Sequence, residues 1–138
     1  MSRGLTNRNP GNIRRSQTRY KGEVTPSRDP AFKEFQTAAW GYRAIFVLLY
    51  TYWKRYHLNT VETMISRWAP PTENHTRQYI RYVADAIGVV SDEPIDTLDV
   101  ATMIPFAAAI SEVENGAHAR REEVDEGWKL FRADFGKK

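Results

Sequence analysis

The chain has 138 residues, 41% of them apolar and 27% charged, the make-up of one globular domain with a single core. It contains no cysteine, which excludes a disulfide framework and a thiolate metal site. The net charge of +3 is uneven: residues 1–28 hold seven Arg or Lys against Glu23 alone, so that segment is +6 and the remainder −3. Such a basic arm implies a polyanionic partner, either nucleic acid or an anionic cell-wall polymer, or else a solvated basic surface.

The start, "MSRGLTNRNPGN", is polar and basic and lacks the apolar stretch of a Sec signal peptide. Residues 1–36 are rich in Gly, Pro, Asn, Arg and Thr and predict a lobe of turns and short extended pieces. "NPGN" at 9–12 is a turn, and 19–35 is broken by Gly22, Pro26 and Pro30 into an irregular hairpin. From Thr37, a plausible N-cap, a central and largely buried helix runs to about Arg55. Its apolar run "AIFVLLYTYW" is about half of what a membrane span needs. Asn59 and Glu62 have capping-box spacing and open a short helix to Trp68, which "APP" at 69–71 stops. A helix over 74–87 follows, with Tyr79, Tyr82, Val83 and Ala86 on one side and Gly88 beyond its end. Thr97 is the expected cap of the next helix, which Pro105 kinks or splits and Gly116 ends. A last helix, 119–133, places Val124, Trp128 and Phe131 at i, i+4, i+7. The expected fold class is mainly α, with residues 1–36 a small β/loop lobe and 37–135 a helical lobe of one domain.

Glu112 and Glu114 stand near the end of the fourth of these helices. On a wheel of roughly 100° per residue, Met103, Phe106, Ala107, Ile110 and Val113 form one apolar stripe. Glu112 falls opposite it and is expected in solvent, whereas Glu114 falls inside it. A carboxylate aimed at a core or a cleft must be paired or shift its pKa upward. A carboxyl of raised pKa at a cleft is what a general acid at neutral pH requires. An ion pair with Arg120 or Arg121 is the structural alternative.

Other stretches carry chemistry as well. "RWAPPTENHT" gathers Trp68, Glu73, Asn74 and His75, either facing a ligand or capping the following helix, with Asn74 or Thr72 as cap. Tyr20, Trp40, Trp53 and Trp68 are candidates for stacking on the apolar faces of sugars. Asn7, Asn9 and Asn12 offer amides suited to N-acetyl and hydroxyl groups, or brace the backbone as Asx turns. Glu23 and Asp29 are lone carboxylates in the lobe. His57, His75 and His118 lack any metal-binding spacing, so neither a metal nor a cofactor is expected.

The motifs "NPGNIR", "RWAPPTEN" and "ENG", within about residues 3–128, resemble a family of phage and prophage proteins often labelled "structural protein". That family includes the lytic, murein-degrading virion protein of enveloped double-stranded RNA phages, and its members look like lysozyme-fold peptidoglycan enzymes. They have been called both endopeptidase and muramidase. A second similarity, to lysozyme-like glucosaminidases, lies in the order "NPGNIR", "YKG", "FKEFQT", where the aromatic of the turn is Tyr20 instead of Trp. In those enzymes a helix ending in a catalytic glutamate comes first. Here Glu114–Asn115–Gly116 is the matching helix end, so the resemblance implies a circularly permuted order with Glu114 docked over Asn9 and Asn12.

The resemblance implies a peptidoglycan-degrading enzyme that cuts glycan strands as a lytic transglycosylase or muramidase. Glu114 is its general acid, Glu73 the rival, and Glu23 or Asp29 a second carboxylate if the enzyme is a hydrolase. The substrate-binding set is Asn9, Asn12, Arg14, Tyr20, Trp68, Asn74 and Asn115. The protein is expected to be a monomer with no membrane span and no nucleic-acid partner. It would be made in the host cytoplasm and act in the periplasm or cell wall, carried there by a virion, a holin or a secretion machine. A murein endopeptidase and a non-catalytic virion or nucleic-acid-binding protein are the alternatives. The first lacks a thiol or metal spacing; the second has the basic arm in its favour.

Overall fold

Thr37 has extended backbone angles and its side chain accepts from Trp40 N, which opens α2 (Ala38–Tyr56) at the expected place. α2 is the buried centre of the molecule, with Ile45, Phe46 and Leu49 essentially without exposure. The computed structural model describes residues 1–71 and 75–136. Around α2 stand α1 (Arg3–Thr6), α3 (Val61–Trp68), α4 (Thr76–Ile87), α5 (Val100–Asn115) and α6 (Arg121–Asp134). β1 (Glu23–Val24) and β2 (Glu34–Phe35) pair antiparallel, Glu23 opposite Phe35 and Val24 opposite Glu34. The fold is therefore mainly α with a small β element in the N-terminal lobe, as expected. No helix among the described residues is long and apolar enough to cross a membrane.

The expected i, i+4, i+7 face of α6 is the one that packs. Val124, Trp128 and Phe131 are buried, and Trp128 meets Phe46 of α2 edge-on with centroids 4.9 Å apart. Each such side chain contributes about 1.5–3 kcal/mol by leaving water. Gly127 lets the two helices close: a Cβ there would lie 2.6 Å from Tyr42 Cβ and 2.8 Å from the Ala39 carbonyl. On the other side, α5 is buried through Met103, Phe106, Ala107 and Ile110 and lies against α4.

Several expectations need correction. The cap of α3 is Thr60, not Asn59: Thr60 and Thr63 exchange the two capping-box bonds, in which Glu62 takes no part. The cap of α5 is Asp99 instead of Thr97, which is buried two residues further out with its hydroxyl unpartnered. Pro105 does not split α5, which runs unbroken through it. On α4, Tyr79 and Val83 are buried as expected, but Tyr82 and Ala86 are exposed, because the helix turns Ala84 inward instead. α4 begins at Thr76, and the proposed caps Thr72 and Asn74 lie outside the described residues. Gly88 and Gly116 end their helices in the left-handed region, at φ 85° and 65°.

Candidate functional site

The C-terminal end of α5 docks on the N-terminal segment, and one side chain organises the joint. Asn115 donates to the Pro10 carbonyl (2.9 Å) and to the Ser111 carbonyl (2.9 Å), while its Oδ1 accepts from Ser2 Oγ (2.7 Å). Gly4 makes the approach possible, because a Cβ there would stand 2.4 Å from Asn115 Oδ1. Behind the joint, Tyr42 of α2 donates to Ser111 Oγ (3.0 Å) and holds this end of α5 against the core.

One residue before Asn115, Glu114 leaves the helix towards the "NPGN" turn. Its Oε1 accepts from Asn12 Nδ2 at 2.9 Å and its Oε2 from the Tyr79 hydroxyl at 3.0 Å. Asn12 sits at φ 49°, a conformation asparagine tolerates, and its Oδ1 is buried without a partner. Its side-chain amide is oriented by the bond it donates to the carboxylate. Tyr79 is buried; burial first, and then the facing Glu114, pushes its pKa far above the ordinary tyrosine range, so it remains a protonated donor. Glu114 is paired as a cleft carboxylate must be, by two neutral donors instead of by Arg120 or Arg121.

Glu114 opens into a groove of about 500 Å³ walled by Asn12 and Arg14 on one side and by Tyr52, Trp68 and Pro70 on the other. Trp68 is half-buried and meets Tyr52 edge-on at 6.3 Å. Gly11 lies flush behind it, since a Cβ there would be 2.8 Å from Trp68 Cζ2. Arg14 is exposed, its guanidinium 5.2 Å from the Phe32 ring centre. Of the described residues lining this groove, Glu114 alone carries a carboxylate.

The structure brings Glu114, Asn12, Arg14 and Trp68 together and places other candidates away from the groove. Asn9 is fully buried, its amide spent on the Ile13 and Lys33 carbonyls and the Ile13 amide. It braces the loop and faces no groove. Asn115 is likewise spent on the joint between α5 and the N-terminal segment. Asp29 is buried beneath Arg3 and Asn7 and also accepts from the Ala31 and Phe32 amides. The Arg3 guanidinium above all holds its pKa well below the usual carboxylate range. Neither Asp29 nor Glu23 lines the groove; Glu23 is tied to Lys33 at 2.7 Å. Tyr20 borders a neighbouring hollow, and burial above all raises its pKa to about 12. Glu73 and Asn74 lie outside the described residues.

The wheel is right about Glu114 and less so about its neighbours. Val113 is exposed despite its place in the stripe. Glu112 is not simply solvated: it accepts from Tyr82 OH (2.8 Å) and from Ala119 N (3.2 Å), bridging α4 to the turn before α6. Tyr79 and Tyr52 are site residues that the sequence reading missed. For Tyr79 a signal existed, because a tyrosine in a buried stripe needs a partner for its hydroxyl.

No family model matches the chain. It is 34% identical over 132 residues to "Protein P5" of Pseudoalteromonas phage PM2, an alignment covering 93% of this chain and 81% of that protein. The chain belongs to the family of that phage protein.

Proposed function

We propose that the protein cleaves the glycan strands of bacterial peptidoglycan, with Glu114 as general acid and then base. The observation that carries this reading is the groove carboxylate of Glu114, held through both oxygens by Asn12 and Tyr79 beside the Trp68 and Tyr52 rings. The resemblance to lysozyme-like enzymes supports it, because α5 ends in Glu114 beside "NPGN", the arrangement of a permuted lysozyme order. Aromatic rings lining a groove suit the apolar faces of sugars.

The chemistry follows from those positions. The Glu114 carboxyl gives its proton to the glycosidic oxygen, the C1–O bond breaks, and the leaving sugar departs as an alcohol carrying that proton. The carboxylate then takes a proton from the oxygen that attacks C1. In a transglycosylase that oxygen is the sugar's own 6-hydroxyl and a 1,6-anhydro ring forms; in a hydrolase it is water. The Tyr79 hydroxyl can donate to the carboxylate or accept from the carboxyl, so it serves both halves of the cycle. A groove with a single carboxylate among its described residues favours the transglycosylase.

The basic arm is less available to nucleic acid than composition implies. Arg3 pairs with Asp29, Lys21 with Asp134, and Arg28 with Glu34. As a phage protein acting on cell walls, it would be made in the host cytoplasm and meet its substrate in the periplasm or from a virion.

The test is Glu114→Gln on purified sacculi. Solubilisation is expected to fall by about 10²–10⁴-fold, the usual worth of general acid–base catalysis, with thermal melting unchanged. Near-wild-type activity overturns the assignment, and loss in Glu73→Gln with Glu114→Gln active moves the role to the rival acid. Anhydro ends in the products identify a transglycosylase and reducing ends a hydrolase. New amino termini on uncut glycans identify an endopeptidase.

A further inference from the structure

The Glu114 groove does not stop at Trp68. Tyr52 and Leu48 line it and also line a second hollow of about 800 Å³ bordered by Tyr20, Tyr56 and Arg67. The two hollows thus share a wall on α2. No carboxylate lines the second hollow among the described residues, while Arg19, Lys54, Arg55 and Arg67 do. Two further cations there, Lys21 and Arg43, are both matched by Asp134. Arg19, Lys54, Arg55 and Arg67 are in no ion pair among the described residues.

Cations already lie over ring faces in this hollow. The Arg67 guanidinium lies 3.8 Å from the Tyr56 centroid, and Lys54 Nζ lies 5.9 Å from the Tyr50 ring centre. Cations on the faces leave little ring for a sugar to stack on and present positive charge instead. Peptidoglycan has one part that matches. Its sugar backbone is neutral, whereas its stem peptides carry free carboxylates, and a guanidinium on a rigid support takes a carboxylate through paired N–H bonds.

We propose that the hollow bordered by Arg67, Lys54 and Arg55 is a subsite for stem-peptide carboxylates, so that the protein selects peptide-bearing glycan over bare glycan. This rests on peptidoglycan being the substrate. The test measures binding by Glu114→Gln protein, which leaves its ligand uncut, to intact sacculi and to sacculi stripped of stem peptides by an amidase. Tighter binding to intact walls is expected, by about fivefold if two exposed charge contacts are lost on stripping, and the preference should shrink as salt rises. Adding Lys54→Gln and Arg67→Gln removes the preference without changing affinity for stripped walls. Lys54→Gln with Arg55→Gln, which spares the Arg67 stacking, reduces it.

Equal binding of the parent to both walls overturns the proposal, as does an equal loss on both walls in the variants. Tighter retention of DNA than of walls, abolished by the same substitutions, overturns it in favour of nucleic acid. If wild-type protein leaves glycans uncut yet keeps the preference, the cleavage reading fails and the subsite stands.

Discussion

The two ends of the molecule are held together by opposite means. Between residues 37 and 136 the interior is hydrocarbon and aromatic: Phe46, Trp128 and Phe131 on one side of α2, Met103, Phe106 and Ile110 on the other. In residues 1–36 the buried apolar side chains are Pro10, Ile13 and Phe35, whereas Asn7, Asn9, Asp29, Lys33 and Glu34 are all buried. A short segment with few turns of helix cannot cover its backbone groups through regular ladders. It satisfies them with amides and carboxylates instead. Residues that look like equipment for a ligand are, in this lobe, the frame itself.

That contrast can be broken from either side. The largest effect is expected from Phe46→Ala, which removes a ring packed on Trp128 and Phe131. It should cost about 3–5 kcal/mol, read as a lower midpoint in denaturant with little dependence on pH. Next is Asn9→Ala. It leaves the Ile13 amide and the Lys33 carbonyl without the Asn9 side chain, while the Ile13 carbonyl keeps the Lys33 amide, at about 2–3 kcal/mol. Because Asn12 lies three residues on, wall-solubilising activity should fall further than stability does; unchanged activity would break the link between frame and groove.

The mildest perturbation leaves the chain intact and lowers the pH. Asp29 and Glu34 both have folded-state pKa values below their ordinary ones, chiefly through Arg3 and Arg28 respectively. Groups of that kind add stability that is present above the unfolded value, about 4, and lost as pH falls through the folded value. Backbone amides of residues 13–35 should therefore lose exchange protection below about pH 4, before those of α2 and α6. Simultaneous loss in both regions would show that the lobes open as one unit.

The same contrast sorts what was legible in the sequence. Val124, Trp128 and Phe131 announced a buried helix face, Thr37 and Gly116 its neighbours' ends, and the wheel sent Glu114 inward. All of these rest on local spacing. The hydrogen bonding of Asn9, Asp29 and Asn115 was not legible because their partners, Lys33, Arg3 and Ser2, stand 24, 26 and 113 residues away. An amide has the same hydrogen-bonding groups whether it meets a sugar or a carbonyl, so type and spacing cannot separate the two. Thr97 and Asp99 illustrate a smaller ambiguity: both are good caps, two positions apart, and tertiary packing decided between them.

The bond between Asn12 and Glu114 joins positions 102 residues apart in the chain. A ribosome working at about 5–20 residues per second therefore releases the aromatic wall several seconds before the acid that faces it. A chain interrupted before α5 has the Asn12 turn, Tyr52 and Trp68 but no Glu114, so a truncated product lacks the proposed chemistry. On the proposed function, the host that makes this protein holds no working copy until translation has passed the last turn of α5.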